Sequence, residues 1–262
     1  MGVSVLTLYM CKDRSHFKVR NFASVIGQEG VRQEVFVVSA EPLGIEGLRN
    51  VVVPVKRDWP LPVRVSYSVN AALKLLRVKY GIELKEFDYL FKVDSDVLLP
   101  RDYVARLTST RAPVAGVGAA LLISAPFFLT ALRGAYPVKY CDDGYVSAVS
   151  VAMGAWPPSH EGVRLPPVGY DKPREFAYGI EYYRWGLSPI LLALMPFTSR
   201  VLRLKPHERR KFKAHIVNVT GYLWAAVRRL NKYDFHKHYR KMRNRHFAEK
   251  LLAFLSPRAG AR

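Results

Sequence analysis

Asp94 and Asp96 stand one residue apart at the carboxyl end of an apolar run, Tyr89-Leu90-Phe91-Lys92-Val93. In an open α/β sheet, ligands bind at the carboxyl ends of the strands. Two carboxylates leaving a strand at i and i+2 can share one hard divalent cation, Mg²⁺ or Mn²⁺, directly or through water. Their oxygens suit such a cation and leave coordination positions open for phosphate. The stretch therefore reads as a holder for a metal-phosphate substrate. The alternative is a turn in which Asp94 caps the next helix and Asp96 is solvated, a common use of aspartate.

The elements that must position this pair alternate along the chain. Val3 to Met10 reads as a strand, Phe17 to Gln28 as a helix, and Glu34 to Ser39 and Val51 to Val55 as strands. Ser66 to Tyr80 carries Val69, Leu73, Leu76 and Tyr80 at helical spacing and is stopped by Gly81. The strand into Asp94 follows. This alternation predicts an α/β fold with a mostly parallel sheet and crossover helices. Ala112 to Leu132 is free of charge and long enough on hydropathy to cross a membrane, but Pro113, Gly116, Gly118 and Pro126 punctuate it. It reads instead as one buried strand, Val114 to Ile123, a turn at Ser124-Ala125-Pro126 and a helix starting near Pro126.

With 262 residues, half of them apolar, the chain can bury one large core or a core plus an appendage. Its two cysteines, Cys11 and Cys141, are too far apart for a zinc knuckle and make no disulfide framework, which points to a reducing compartment. No basic run precedes the first strand and no small-residue cleavage site follows it, so no secretory signal is expected and the expected location is cytoplasmic. The net charge of +20 is unevenly spread. Arg200 to Arg262 holds 18 Lys and Arg against three acids, a net +15. Such a tail is an electrostatic surface for phospholipid headgroups or nucleic acid.

Taken in order, these segments resemble the family 2 glycosyltransferases, nucleotide-sugar enzymes of the GT-A fold. The resemblance runs from about Val3 to about Trp185 and is carried by several matches. They are the opening strand, the helix ending in Ser24-Val25-Ile26-Gly27-Gln28, the second strand with Glu41 after it, the Asn70-bearing helix and Asp94-Ser95-Asp96. The buried strand at Gly116 to Ile123 follows, then the acidic pair Asp142-Asp143 opening a helix, with Gly154 eleven residues after the second acid. The resemblance implies inverting sugar transfer from a nucleoside-diphosphate sugar. Asp94 and Asp96 then hold a divalent cation on the departing diphosphate, Asp96 as the direct ligand. Asp143 takes the proton of the acceptor hydroxyl, with Asp142 beside it as an orienting or acceptor-binding group. A helix start holds Asp143 toward its ionised form, although the same position suits a plain cap.

The resemblance also places Glu41, Tyr9 and Asn70 against the nucleotide, Tyr9 as a ring on which the base leans. The family's usual turn after the second strand is here Ser39-Ala40-Glu41-Pro42, and its acceptor loop is replaced by Tyr136-Pro137-Val138-Lys139-Tyr140. Glu181-Tyr182-Tyr183-Arg184-Trp185 differs by one residue from the Gln-x-x-Arg-Trp motif of processive relatives. There, Trp stacks on acceptor sugar and Arg faces the diphosphate. Arg184 and Trp185 are thus candidates for the acceptor or diphosphate, the alternative being a helix that buries Tyr182 and Trp185.

The expected division is a catalytic domain over 1–186 and a basic, partly apolar helical extension over 187–262. Leu187 to Phe197 is apolar but too short to span a bilayer. From Phe212, the residues Phe212, Ile216, Val219, Leu223, Ala226 or Val227, and Leu230 recur at three- and four-residue steps. Phe235 to Leu255 repeats the theme among Lys and Arg. Aromatic and aliphatic faces beside basic residues favour peripheral attachment to an anionic membrane on its cytoplasmic side, with a lipid-linked or membrane-proximal acceptor. The alternative is that these helices pack on the catalytic domain. Two rival functions remain open. A nucleotidyltransferase of related fold wants a glycine-rich phosphate loop after the first strand, where this chain has Met10-Cys11-Lys12-Asp13-Arg14. A nucleic-acid-binding protein would use the basic tail but leaves Asp94-Ser95-Asp96 unexplained.

Overall fold

A computed structural model describes residues 2–158, 162–165, 171–194 and 212–255. The chain divides into two compact units. The first comprises Met1–Ser150 with Ala155–Pro167, and the second Val151–Gly154 with Val168–Arg262. The division thus falls ahead of the helix that carries Arg184 and Trp185, rather than after residue 186. The reason is that this helix packs tightly against a later one.

The first unit is built on a six-stranded sheet ordered β3-β2-β1-β4-β6-β5. Its strands are β1 (Ser4–Met10), β2 (Arg32–Ser39), β3 (Asn50–Val52), β4 (Tyr89–Asp94), β5 (Val114–Val117) and β6 (Ala120–Ser124). β3, β2, β1 and β4 run parallel, as the alternation of strand and helix predicts. β1 lies between two parallel neighbours and is buried on both faces, so its side chains are apolar almost without interruption: Val5, Leu6, Leu8 and Tyr9 are all solvent-free. The helices are α1 (Val19–Ile26), α2 (Leu61–Tyr80), α3 (Tyr103–Ser109), α4 (Ala125–Thr130) and α5 (Asp142–Ala152). α2 ends where expected, because Gly81 takes φ 68° and its N–H reaches the Arg77 carbonyl at 3.2 Å.

The segment Val114 to Ile123 is two strands, not one. Val117 pairs with Ala120 across Gly118-Ala119, and β6 then returns antiparallel to both β5 and β4. The reversal matters for the site. It brings the Gly118-Ala119 turn to the carboxyl end of β4, where the Asp94 amide donates to the Ala119 carbonyl at 2.8 Å.

The second unit contains α6 (Lys172–Trp185), α7 (Phe212–Val227) and α8 (His236–Leu255). α6 and α7 cross so closely that Gly179 lies on the Asn218 backbone and Gly221 on the Phe176 backbone, leaving no room for a Cβ at either glycine. Ala214, Asn218, Tyr222 and Ala225 form the buried side of α7, and the Asn218 amide donates to Glu175 Oε2 at 3.1 Å inside the contact. The larger apolar residues Ile216, Leu223 and Val227 face outward. The stripe of large residues thus falls on the opposite side from the packed one, because small residues set the closest approach of two helices.

Candidate active site

The site is assembled at the carboxyl edge of the parallel strands. Met10 and Asp94 are register partners at the ends of β1 and β4. Asp94 is half-buried, with 39% of its side chain exposed, and Asp96 is exposed in the turn that follows. Lys92 precedes Asp94 by two residues and therefore points to the same face of β4. It is only 4% exposed; its Nζ donates to Asp94 Oδ1 at 2.8 Å and to the Gly118 carbonyl at 3.2 Å. Burial pulls its ammonium down, but Asp94, Asp142 and Asp143 outweigh burial and leave it above its ordinary value. Asp94 is raised by burial and by Asp96 and Asp142, against the opposing pull of Lys92.

Asp142 and Asp143 open α5 as expected. The Asp143 carboxyl rests directly on Gly118, in the space a side chain at 118 would fill. Cys141 Sγ donates to Asp143 Oδ1 at 3.7 Å, and the Gly144 amide also stabilises the carboxylate. Burial first, and Asp142 second, nevertheless raise Asp143 above the usual carboxylate range. A raised carboxyl at a helix start is suited to take and release a proton rather than to remain a permanent charge. Asp142 Oδ2 accepts a 2.7 Å hydrogen bond from the Tyr136 hydroxyl, whose own ionisation is pushed well up by burial and by Asp142.

Tyr136 is itself pinned by α2. Ser66 Oγ donates to the Tyr136 carbonyl at 2.7 Å, while Asn70 accepts from the Tyr136 amide at 2.8 Å and donates to its carbonyl at 3.1 Å. Asn70 thus has its amide engaged by the loop that orients Asp142, and it is placed to position that loop rather than to touch a nucleotide. Tyr9 is also placed otherwise than as a base platform. Its ring is fully buried against Phe17 and Phe22, and its hydroxyl lies 3.1 Å from the Ser95 carbonyl. It therefore supports the Asp94-Ser95-Asp96 turn from beneath. Glu41 is exposed just past β2, at the same sheet edge, with its backbone carbonyl held by Ser39 Oγ at 2.6 Å.

Arg184 and Trp185 belong to the second unit. Trp185 is 4% exposed and packs edge-on against Tyr182 and Tyr239, so it is a core residue there and not a free stacking face. Arg184 lies over the Tyr233 ring at 4.7 Å and donates to the Asn231 carbonyl at 3.2 Å. Glu181, which stands in place of the motif's Gln, accepts from the Tyr233 hydroxyl at 2.7 Å.

Lys92, Gly118 and Tyr136 are the members of the site that motif reading does not select. Only Lys92 carries a visible signal, a lone charge inside an apolar strand, two residues ahead of a carboxylate. Among the described residues no group of three or more His, Cys, Asp or Glu side chains converges on a metal position. Asp94 Oδ2 and the exposed Asp96 carboxylate are hard oxygen donors at an open sheet edge, and they fit a divalent cation that completes its shell with phosphate and water.

No family model matches the chain, and no curated protein matches it either. Among solved structures it is similar to mannosyltransferase PcManGT from Pyrobaculum calidifontis, solved in complex with GDP-Man and Mn²⁺. The identity is 12%, over 97% of this chain and 87% of that one, with a TM-score of 0.50. S. aureus TarS, in complex with UDP-GlcNAc, aligns at 13% identity over 95% of this chain and 92% of that one, with a TM-score of 0.47, too low to support an argument. The first likeness shows the fold. The chain shares the mixed α/β fold of that mannosyltransferase structure, with a mostly parallel central sheet flanked by helices.

Proposed function

We propose that the chain is an inverting glycosyltransferase that moves a sugar from a nucleoside-diphosphate sugar to an acceptor hydroxyl at the carboxyl edge of its sheet. The observation that carries this reading is the convergence of Asp94, Lys92 and Asp143 around the Gly118-Ala119 turn, which joins a diphosphate-side carboxylate to a proton acceptor in one cluster. Asp143 accepts the acceptor proton as its oxygen bonds to the anomeric carbon, and the bond from that carbon to the diphosphate breaks on the opposite side. Asp142, fixed by Tyr136, orients the acceptor or the Asp143 carboxyl. Asp94 and Asp96 would hold a divalent cation, Mg²⁺ or Mn²⁺, which supplies charge neutralisation for the leaving diphosphate when bound. Glu41, exposed past β2 at the same sheet edge, would accept a hydrogen bond from the nucleotide base. Asp143→Asn is expected to abolish transfer while leaving donor binding within about threefold of wild type. Near-normal turnover in that protein would remove the base assignment.

The second unit supports a membrane-proximal acceptor. Ile216, Leu223, Trp224 and Val227 are exposed on one side of α7, at 49%, 56%, 43% and 81%. Arg228 and Arg229 follow them, also exposed. An outward apolar stripe edged by arginines matches an anionic bilayer surface, into which the stripe inserts while the cations meet headgroups. The apolar segment Leu187 to Phe197 adds exposed Ile190, with Leu187 and Leu192 buried; its residues 195–197 lie outside the described ones. No helix among the described residues is long and apolar enough to cross a membrane. Cosedimentation with anionic vesicles tests the attachment. Leu223→Glu with Trp224→Glu is expected to reduce the bound fraction at least fivefold, and unchanged partitioning would sink the idea.

A further inference from the structure

Among the described residues Lys92 is the one buried cation in the cluster, and the proposed chemistry leaves it without a task. Its charge faces Asp94, Asp142 and Asp143 together, and its bond to Asp94 Oδ1 at 2.8 Å occupies one of the two oxygens that a metal ion would use. Its second bond, to the Gly118 carbonyl at 3.2 Å, ties it to backbone, so the ammonium cannot swing out of the way without breaking both contacts. A lysine at 4% exposure does not sit there by default, because an ammonium is costly to bury. Ordinary packing in an apolar strand would be met by leucine or valine.

We infer that Lys92 is a resident counter-ion that holds Asp94 away from free divalent cations, so that metal and nucleoside diphosphate load onto this site together rather than metal first. This rests on the glycosyltransferase reading for its substrate class. The physical logic is charge balance. Asp94, Asp96, Asp142 and Asp143 would attract a divalent cation strongly on their own, and Lys92 both offsets one charge and repels the incoming ion at close range. A diphosphate brings its own negative oxygens. With them present, the repulsion from Lys92 is screened and the cation gains ligands that the protein does not provide. The result is positive coupling between two ligands, reciprocal by thermodynamic necessity. Lys92 is on this account a positioning residue that acts through Asp94, not a group that touches the sugar.

The test is Mn²⁺ binding to the nucleotide-free protein, followed by electron paramagnetic resonance, for wild type, Lys92→Met, Lys92→Gln and Lys92→Arg. Glutamine keeps a donor toward Asp94 and removes only the charge, which guards against loss of folding in the methionine variant; melting curves establish that each protein is folded. Lys92→Gln and Lys92→Met are expected to bind Mn²⁺ at least tenfold more tightly than wild type, and Lys92→Arg to match wild type. In wild type, saturating UDP or GDP is expected to tighten Mn²⁺ at least tenfold, and in Lys92→Gln by a factor several-fold smaller. Nucleotide-free Mn²⁺ affinity that is unchanged or weaker in Lys92→Gln overturns the inference. So does wild-type protein that binds Mn²⁺ equally well with and without a nucleotide that it demonstrably binds. A wild-type protein that binds neither UDP nor GDP would instead remove the glycosyltransferase reading, and the nucleotide-free titration would still decide what Lys92 does.

Discussion

Gly118→Ala probes the proposed base, Asp143, through a contact that involves no charge. A methyl group built at 118 falls 2.6 Å from Asp143 Cγ and 3.0 Å from its Cβ, as well as against the carboxylate oxygen. Carbon atoms rest at about 3.5–4.0 Å, so the carboxyl must withdraw by about 1 Å. Gly118 is not among the residues with positive φ, so no left-handed backbone opposes alanine there, and the hairpin turn is expected to survive. The Lys92 bond to the Gly118 carbonyl is to backbone and also survives. A misplacement of about 1 Å in a reacting group costs on the order of 10²-fold in rate, or about 2.7 kcal/mol in the barrier. The assay is release of nucleoside diphosphate at saturating donor, with donor affinity and thermal melting measured in parallel. Turnover is expected to fall about 100-fold, with donor affinity within threefold of wild type and melting shifted by only a few degrees. Turnover within threefold of wild type would show that Asp143 does not need its place on Gly118, and the assignment of the base would fail with it.

Asp143→Asn also carries a stability signature. Its carboxyl is raised in the folded protein, so its contribution is fully present below the unfolded value near 3.9 and is lost as pH rises through the folded one. The asparagine protein is therefore expected to melt higher than wild type at pH 7.5 and to match it at about pH 4; a lower melting temperature at pH 7.5 contradicts the burial argument. Wild-type kcat/KM should rise with pH along an acid limb above the ordinary carboxylate range. Tyr136→Phe removes the 2.7 Å bond to Asp142 and is expected to cost about 1.5–3 kcal/mol by denaturant titration, with a loss in turnover. In the second unit, Gly221→Ala drives a methyl onto the Phe176 backbone and is expected to destabilise the α6–α7 pair by at least about 1–3 kcal/mol, seen as earlier melting of helical circular dichroism.

How far residues announced this architecture depended on what fixes each element. β1, β4 and the end of α2 follow local rules: an uninterrupted apolar run for a strand buried on both faces, and a glycine at a left-handed helix stop. The β5–β6 hairpin does not, because its turn is Gly118-Ala119, with no polar residue to break an apolar run. Reversal there is set by pairing with β4, a long-range contact. The phase of α7 was hidden for a related reason. Gly179 and Gly221 decide which faces meet, and glycines carry no weight in a hydrophobic stripe. In the proposed site, Asp94, Asp96, Asp142 and Asp143 stand out in the sequence because the proposed chemistry restricts the residue types. Tyr9 and Trp185 were legible only as aromatic residues near motifs, and packing placed both in cores. Tyr136 holds Asp142 from a loop whose own anchors, Ser66 and Asn70, lie on another helix, so no local pattern joins them.

On the proposed function, the Asp94-to-Asp96 edge holds a nucleoside diphosphate through a divalent cation. Calorimetric titration of the full chain with UDP-sugars and GDP-sugars, with Mn²⁺ and with EDTA, addresses it directly. One of the two nucleotide classes is expected to bind with Mn²⁺, to weaken at least tenfold with EDTA, and to weaken comparably in Asp96→Ala. Absence of binding by both classes with Mn²⁺ present, or binding that Asp96→Ala leaves unchanged, would contradict it.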